Sequence, residues 1–486
     1  MNDARTTAAA ATTAAGTVYD LIIVGGGTAG MTAAIFAAMR NANVLILDAA
    51  DRLGGTLWLS TGQVSAAGTR LQRKQGINDT PEAHLDDIMR ISRGTADRTI
   101  AKLAVDNAAA AFDWLCEAGF QPVDGHPVMG SGHEYYSERR YYWGAEGGVT
   151  IFRTLEKALS PHIARGVVNV KLNARAESLM QDSSGRVTGV VARDASGATQ
   201  RHLGRAVLLT AGGYAANGEM FRELNKRIQY ARMSYYTCRG DGLTMALAAG
   251  AALQGHDKYL AGLGAILVDD NVPSVTIGRF NHWPEKRMPW EIYVNVRGER
   301  WINEDNPSVD AREHALLKQP ELRFWIVLDD EILRAAPVPI DGWDRERYMA
   351  AFGKENLFYK ADTIEALANK AGVDAKTLAA TVTAYNAAQK GGKDALGRTH
   401  MPRPIAKPPF YAIRHQGMSI SSTVGLAINP QLQVLRADGS AIAGLYAAGE
   451  VIGAGLLMGQ SFCGGMLVMP AITFGKMLGE RVRQLA

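Results

Sequence analysis

The apolar stretch Tyr19-Asp20-Leu21-Ile22-Ile23-Val24 runs straight into Gly25-Gly26-Gly27-Thr28-Ala29-Gly30, and a helical pattern follows over residues 31–39. This passage constrains the fold more than any other. A short apolar run bounded by glycines reads as a buried strand. In a strand–turn–helix of this kind each glycine has its own task. Gly25 permits the tight turn, Gly27 lets the backbone approach a pyrophosphate, and Gly30 lets helix and strand pack closely. The N-terminus of the helix then offers free N–H groups and a positive dipole end to the phosphates. A second apolar run, Val44-Leu45-Ile46-Leu47, ends in Asp48. That acid lies about 20 residues on, the spacing at which a carboxylate meets an adenosine ribose. The alternative is a glycine-rich loop in an ordinary α/β fold, and the acid at the end of the second strand weighs against it.

A chain of 486 residues is too long for one simple core. Its net charge of +4 gives no grounds for nucleic acid or an anionic membrane as partner. Cys116, Cys238 and Cys463 are far apart and form neither a disulfide framework nor a metal signature, which suits a reducing cytoplasm. Residues 451–475 carry no charge and are long enough to span a bilayer. They are also rich in glycine and broken by Gln460, Ser461 and Pro470, so a buried loop and helix around a ligand is the expectation, with no transmembrane segment. Residues 1–17 are rich in Ala and Thr and read as a disordered leader.

In chain order, Thr80 and Pro81 mark a helix start, and another helix is expected from about 100 to 118. Residues 125–148 form an irregular segment dense in polar aromatics, including His133-Glu134-Tyr135-Tyr136 and Arg139-Arg140-Tyr141-Tyr142-Trp143. That density in a glycine-flanked loop suggests a binding site rather than plain surface. Residues 167–209 alternate, with turns at Ser183-Ser184-Gly185 and Ala195-Ser196-Gly197. Residues 206–213 and 444–450 are again strand followed by glycine. Asp362-Thr363-Ile364-Glu365 reads as a capping box. The expected architecture is α/β. A Rossmann-type nucleotide domain with an antiparallel β-meander occupies 18–262 and 416–486, and an inserted α+β capping domain occupies 263–415.

Several motifs together resemble the flavoprotein family of soluble fumarate reductases, succinate dehydrogenase flavoprotein subunits and 3-ketosteroid dehydrogenases. They are the 25–30 glycines with Asp48, Gly54-Gly55-Thr56 with Ser60-Thr61-Gly62, Thr210-Ala211-Gly212-Gly213-Tyr214, Gly240-Asp241-Gly242, Gly298-Glu299-Arg300-Trp301-Ile302-Asn303-Glu304, and Gly444 through Glu450. The resemblance implies FAD, a cap over the isoalloxazine, and hydride transfer at a substrate C–C bond. It also implies that Gly25, Gly27, Thr28, Ala29, Gly30, Asp48, Gly55, Thr56, Gly62, Gly212, Gly213, Asp241, Gly449, Glu450 and Leu467 bind the cofactor. Relatives with covalent flavin carry a histidine near Thr56 and Leu57. None stands there, so non-covalent FAD is expected.

The departures bear on substrate. Fumarate reductases carry Asn-Arg-x-Gly-Gly-Asn where this chain has Ser461-Phe462-Cys463-Gly464-Gly465-Met466. The carboxylate-clamping arginine is therefore Phe462. The family's substrate histidine falls near Ser421, and its acid–base arginine near Pro307 and Ser308. A diacid against phenylalanine would leave a buried charge unpaired, at a cost of several kcal/mol. Ketosteroid dehydrogenases carry a tyrosine at the Phe462 position, beside a glycine N–H.

Desaturation beside a ketone needs a base for the α-proton and a donor for the enolate oxygen. Gly464 and Gly465 are the expected donors, Phe462 the apolar wall, and Tyr141 and Tyr142 the expected base and its partner, activated by Arg139 or Arg140. His282 is a reserve base, and Cys463 reads as a buried inert thiol. The favoured reading is a dehydrogenase of a cyclic or steroid-like apolar ketone, passing electrons to an external acceptor (quinone, oxygen or a redox protein). A reductase of an unsaturated carboxylic acid, clamped by Arg139, Arg140 or Arg279, is the alternative. A flavin-binding redox protein without turnover is a third. No metal is expected.

Overall fold

The computed structural model describes residues 17–485. The expected leader, up to residue 16, lies outside the described residues. The chain is organised on a six-stranded sheet ordered Gln433–Leu435, Ala441–Ala447, Val207–Leu209, Leu21–Val24, Val44–Leu47, Val168–Lys171. The last five run parallel and Gln433–Leu435 antiparallel. Leu21–Val24 and Val44–Leu47 are buried along their whole length, as continuous apolar runs covered on both faces must be. The sheet thus joins segments more than 400 residues apart in sequence, and their C-terminal ends gather Gly25, Asp48, Thr210 and Ala448 at one edge.

The helix Thr28–Met39 is buried on nearly every side. One reason is the helix Val468–Glu480, which approaches it closely. A Cβ on Gly475 would meet the Ala29 carbonyl oxygen at 2.5 Å, and one on Gly479 the Ala33 carbonyl oxygen at 2.5 Å. The charge-free stretch is therefore packed inside the protein. No helix among the described residues is long and apolar enough to cross a membrane.

Arg175–Gln181, Val187–Arg193 and Thr199–Gly204 form the antiparallel meander, and Val18–Tyr19 adds a parallel edge strand. Its two turns are closed by Asp182 and Asp194, whose carboxylates accept from the N–H groups of Ser184 and Ser196 at 2.9 Å.

A second sheet is antiparallel throughout, in the order Thr276–Gly278, Gly262–Leu267, Phe410–Met418, Arg323–Asp329, Ile292–Val294, with Phe358–Ala361 also paired to Phe410–Met418. The run beginning at Gly298 is its hub. Gly298 sits at φ +76°, where a Cβ would strike Leu378 N at 2.7 Å. Glu304 accepts from Tyr293 N and is ion-paired to Arg300 and to Arg398 at 2.5 and 3.3 Å, all buried. One detail departs from expectation. Thr363 alone caps the helix Ile364–Ala371, accepting from Ala366 N at 3.1 Å, so Glu365 lies one position short of closing a capping box. The true box is Thr69 with Gln72.

Candidate active site

Where the first strand ends, the glycines divide their labour. Gly25 sits at φ +102° and presses on the Thr210 carbonyl, and a Cβ on Gly30 would collide with the Gly25 carbonyl. Gly27 differs, because a Cβ there would meet nothing within 4 Å. Its bare Cα faces open space at a helix N-terminus that no side chain caps. That is room for a phosphate rather than a packing demand.

Asp48 holds the neighbouring turn, accepting from Gly26 N at 2.6 Å and Ala50 N at 2.8 Å. Burial raises its pKa, against the two backbone bonds. One cavity of about 540 Å³ is lined by Gly25, Asp48, Gly55, Thr56, Gly212 and Asp241. A second, of about 820 Å³, is lined by Thr28, Ala29, Gly449, Glu450 and Leu467. Both share Thr56 and Gly212, so together they form one elongated groove past the helix N-terminus. Asp241 is ion-paired to Arg175. Glu450 accepts from Ser422 N at 2.8 Å, and burial raises its pKa.

At two expected cofactor contacts the side a Cβ would take is filled by protein. The space beside Gly62 is filled by the Gly147 backbone, and that beside Gly213 by Ser422 and Glu450.

Beyond the groove, the aromatic loop folds over the segment 462–466. The strand Tyr141–Tyr142 pairs with Val64–Ser65. A Cβ on Gly464 would touch the Tyr141 ring at 2.9 Å, and one on Gly465 would strike the backbone at Val64 and Ser65. Tyr136 donates to the Gly464 carbonyl at 2.5 Å. The N–H groups of Gly464 and Gly465 have no acceptor among the described residues. The Phe462 ring stacks on His133 with centroids 4.9 Å apart and planes 21° apart. The second sheet's portion meets the same loop, through Trp283 Nε1 to the Gly132 carbonyl at 3.2 Å and Ser308 Oγ to Glu134 at 2.9 Å.

The model of the FAD binding domain family matches residues 20–467. The chain belongs to that family. It is an FAD-dependent oxidoreductase acting on CH–CH groups. A probable fumarate reductase of Shewanella frigidimarina is 29% identical over 473 residues, covering 96% of this chain and 75% of that one. The 4-oxocyclohexanecarboxylate 2-dehydrogenase of Sinomonas cyclohexanicum is 27% identical and covers 96% and 93%. The solved 3-ketosteroid Δ1-dehydrogenase of Sterolibacterium denitrificans shares the fold, with a TM-score of 0.75, 21% identity and coverage of 96% and 99%. The open Gly27, the uncapped helix and the acid at Asp48 suit FAD, which supplies hydride acceptance when bound.

On the substrate side of this flavoprotein several expectations need correction. Tyr141 and Tyr142 are fully buried, and burial pushes both phenols far above their usual range. Tyr142 shares a 2.9 Å hydrogen bond with Thr69 and packs on Phe112. Among the described residues no cation lowers the pKa of either phenol. Arg140 is locked between Asp79 and Asp87 at 2.8 and 2.7 Å, and Arg139 is exposed beside Glu138. These two arginines are also lost as carboxylate clamps. His282 is no free base, since its two nitrogens face Tyr293 at 3.2 Å and His415 at 3.0 Å. Cys463 is buried with its thiol pushed up, as an inert sulfur should be.

Three residues went unread in sequence. His133 is half-buried, its buried Nδ1 lacks a partner among the described residues, and desolvation with Arg279 nearby lowers its pKa to about 4. Tyr136 anchors Gly464. Arg312 is fully buried, bonded to the His282 carbonyl through Nη1, with Nη2 unpartnered. Its one signal was a spacing of one helical turn from Ser308, which caps the helix Val309–Leu316.

Proposed function

We propose that this flavoprotein is a dehydrogenase that desaturates the Cα–Cβ bond beside the carbonyl of a cyclic or otherwise apolar ketone. One observation carries the reading. Phe462, at the position where the resemblance puts a carboxylate-binding arginine, stacks on an uncharged histidine next to two peptide N–H groups without acceptors. An apolar ring can lie against Phe462 and gain roughly 25 cal/mol per Å² buried. The Gly464 and Gly465 N–H groups can receive the carbonyl oxygen as charge develops on it. His133, neutral with a free Nδ1, is the group we assign to take the α-proton. Residues 263–415 serve as the cap, an external acceptor reoxidises the flavin, and three free cysteines fit a cytoplasmic protein. The Sinomonas relative is named for a ring ketone that also bears a carboxylate, which supports the ring-ketone part of this reading.

The test is product analysis with an artificial electron acceptor and a panel of cyclic ketones. A product two hydrogens lighter, with an enone absorbance, is expected. No such product from any ring ketone would overturn the reading.

A second reading, reduction of an unsaturated acid, is favoured by two arginines. Arg279 makes no ion pair among the described residues, and Arg312 keeps a buried, unpartnered Nη2. Arg279 would hold a carboxylate and Arg312 would stand in for the proton-donating arginine. Oxidation of reduced flavin by fumarate or another enoate, and by no enone, would establish it.

A further inference from the structure

We propose that Tyr136 is a positioning residue: its phenol sets the aim of the Gly465 N–H at the substrate's carbonyl oxygen. The inference rests on the ketone reading for the identity of that oxygen, and on geometry for everything else.

The Gly464 carbonyl and the Gly465 N–H belong to one peptide group. A trans peptide is planar, so its C=O and N–H point in opposite directions. Tyr136 donates to that carbonyl at 2.5 Å. Fixing one end of the peptide therefore fixes the other, and the N–H is turned away from Tyr136 toward the side where it meets no acceptor among the described residues. The segment needs such a fixture, because two successive glycines have wide freedom of φ and ψ.

The phenol is itself held. Its ring meets His84 edge-on at 5.2 Å, and the Arg140 guanidinium lies 5.3 Å over it. Arg140 is in turn clamped by Asp79 and Asp87. Tyr136 is fully buried, so water does not compete for the Gly464 carbonyl. The hydrogen bond also polarises the peptide it reaches, which strengthens the N–H at the far end.

The probe is 4-nitrophenol, a ring whose oxygen mimics a neutral carbonyl partner or an enolate according to its ionisation, read by its own absorbance. It is titrated into oxidised holoenzyme on either side of its ionisation, with no turnover. Wild type should bind the anion more tightly than the neutral form. Tyr136→Phe should retain its flavin and lose about tenfold in anion affinity, with neutral affinity unchanged. That is below the 10²–10³ typical of removing a donor outright, because the N–H remains and loses only its aim. Placing 3-fluorotyrosine at 136, a more acidic donor of the same shape, should raise anion affinity. An equal fall for both forms would show a packing role and overturn the proposal, as would an unchanged anion affinity in both variants. If no ketone reduces the wild-type flavin, the ketone reading has failed, and the phenol titration still decides the role of Tyr136.

Discussion

The glycine turn at residues 25–30 and the aromatic corner at 132–142 are both places of close approach, yet different physics holds them. In the turn, backbone meets backbone, and only a missing Cβ allows it. In the corner, side chains from distant segments settle each other's roles: His133 with Phe462, Tyr136 with Gly464, Arg140 with Asp79 and Asp87. The first kind of site tolerates almost no substitution of its key residue. The second can be altered one partner at a time, with graded effects.

The sharpest way to break this contrast lies within the turn itself. Gly27→Val should give a folded protein with no flavin, because its side chain enters the open space meant for the pyrophosphate. Gly30→Val should fail to fold, because its side chain enters the Gly25 carbonyl. Flavin absorbance per protein and circular dichroism separate the two outcomes. In the corner, His133→Gln should retain FAD and lose 10²–10⁴-fold in the rate of flavin reduction, the usual cost of removing a general base. A near wild-type rate in stopped flow would remove His133 from the chemistry.

Arg140→Leu should be felt as stability rather than rate. It strands Asp79 as a buried unpaired charge, while Asp87 keeps Arg90 at 2.6 Å, at a cost of about 3–5 kcal/mol. A denaturant midpoint unchanged from wild type would contradict this. Phe462→Tyr should hold or modestly raise kcat/KM on ring ketones by adding a donor, whereas Phe462→Arg should abolish it.

The mildest effect is on pH. His133 has its folded pKa lowered to about 4, so its neutral, proton-accepting form persists well below the ordinary 6.5. The acid limb of kcat/KM should therefore fall near pH 4. The same shift makes stability fully present above pH 6.5. It declines as pH drops toward 4, since the unfolded chain takes up that proton first. An acid limb near 6.5 would mean His133 is not the base.

How far the molecule was legible follows the same division. Gly25, Gly27, Gly30 and Asp48 were readable because turn, phosphate and helix packing each demand a particular residue type at a particular offset. The meander was readable from Gly185 and Gly197, both at positive φ in its turns. Gly62 and Gly213 look like the others in sequence, but the side a Cβ would take is filled by Gly147 and by Ser422 with Glu450; which way a glycine's empty side points is a tertiary fact. The tyrosine base was misplaced for a related reason. Arg140 is adjacent to Tyr141 in sequence, but successive residues of an extended segment point to opposite sides. Arg140 turns to the two aspartates, and Tyr141 turns to Gly464. Arg312 was hidden because a helix brings it near Ser308 at a spacing that the family motif does not contain.

The proposal to be tested is that the corner formed by Phe462, His133 and the Gly464 and Gly465 N–H groups takes a ring ketone. Anaerobic titration of the oxidised holoenzyme tests it most directly. A cyclic ketone should bleach the flavin absorbance, succinate should leave it unchanged, and acid should then release the FAD unattached to protein. Bleaching by succinate, with every ring ketone inert, would contradict it.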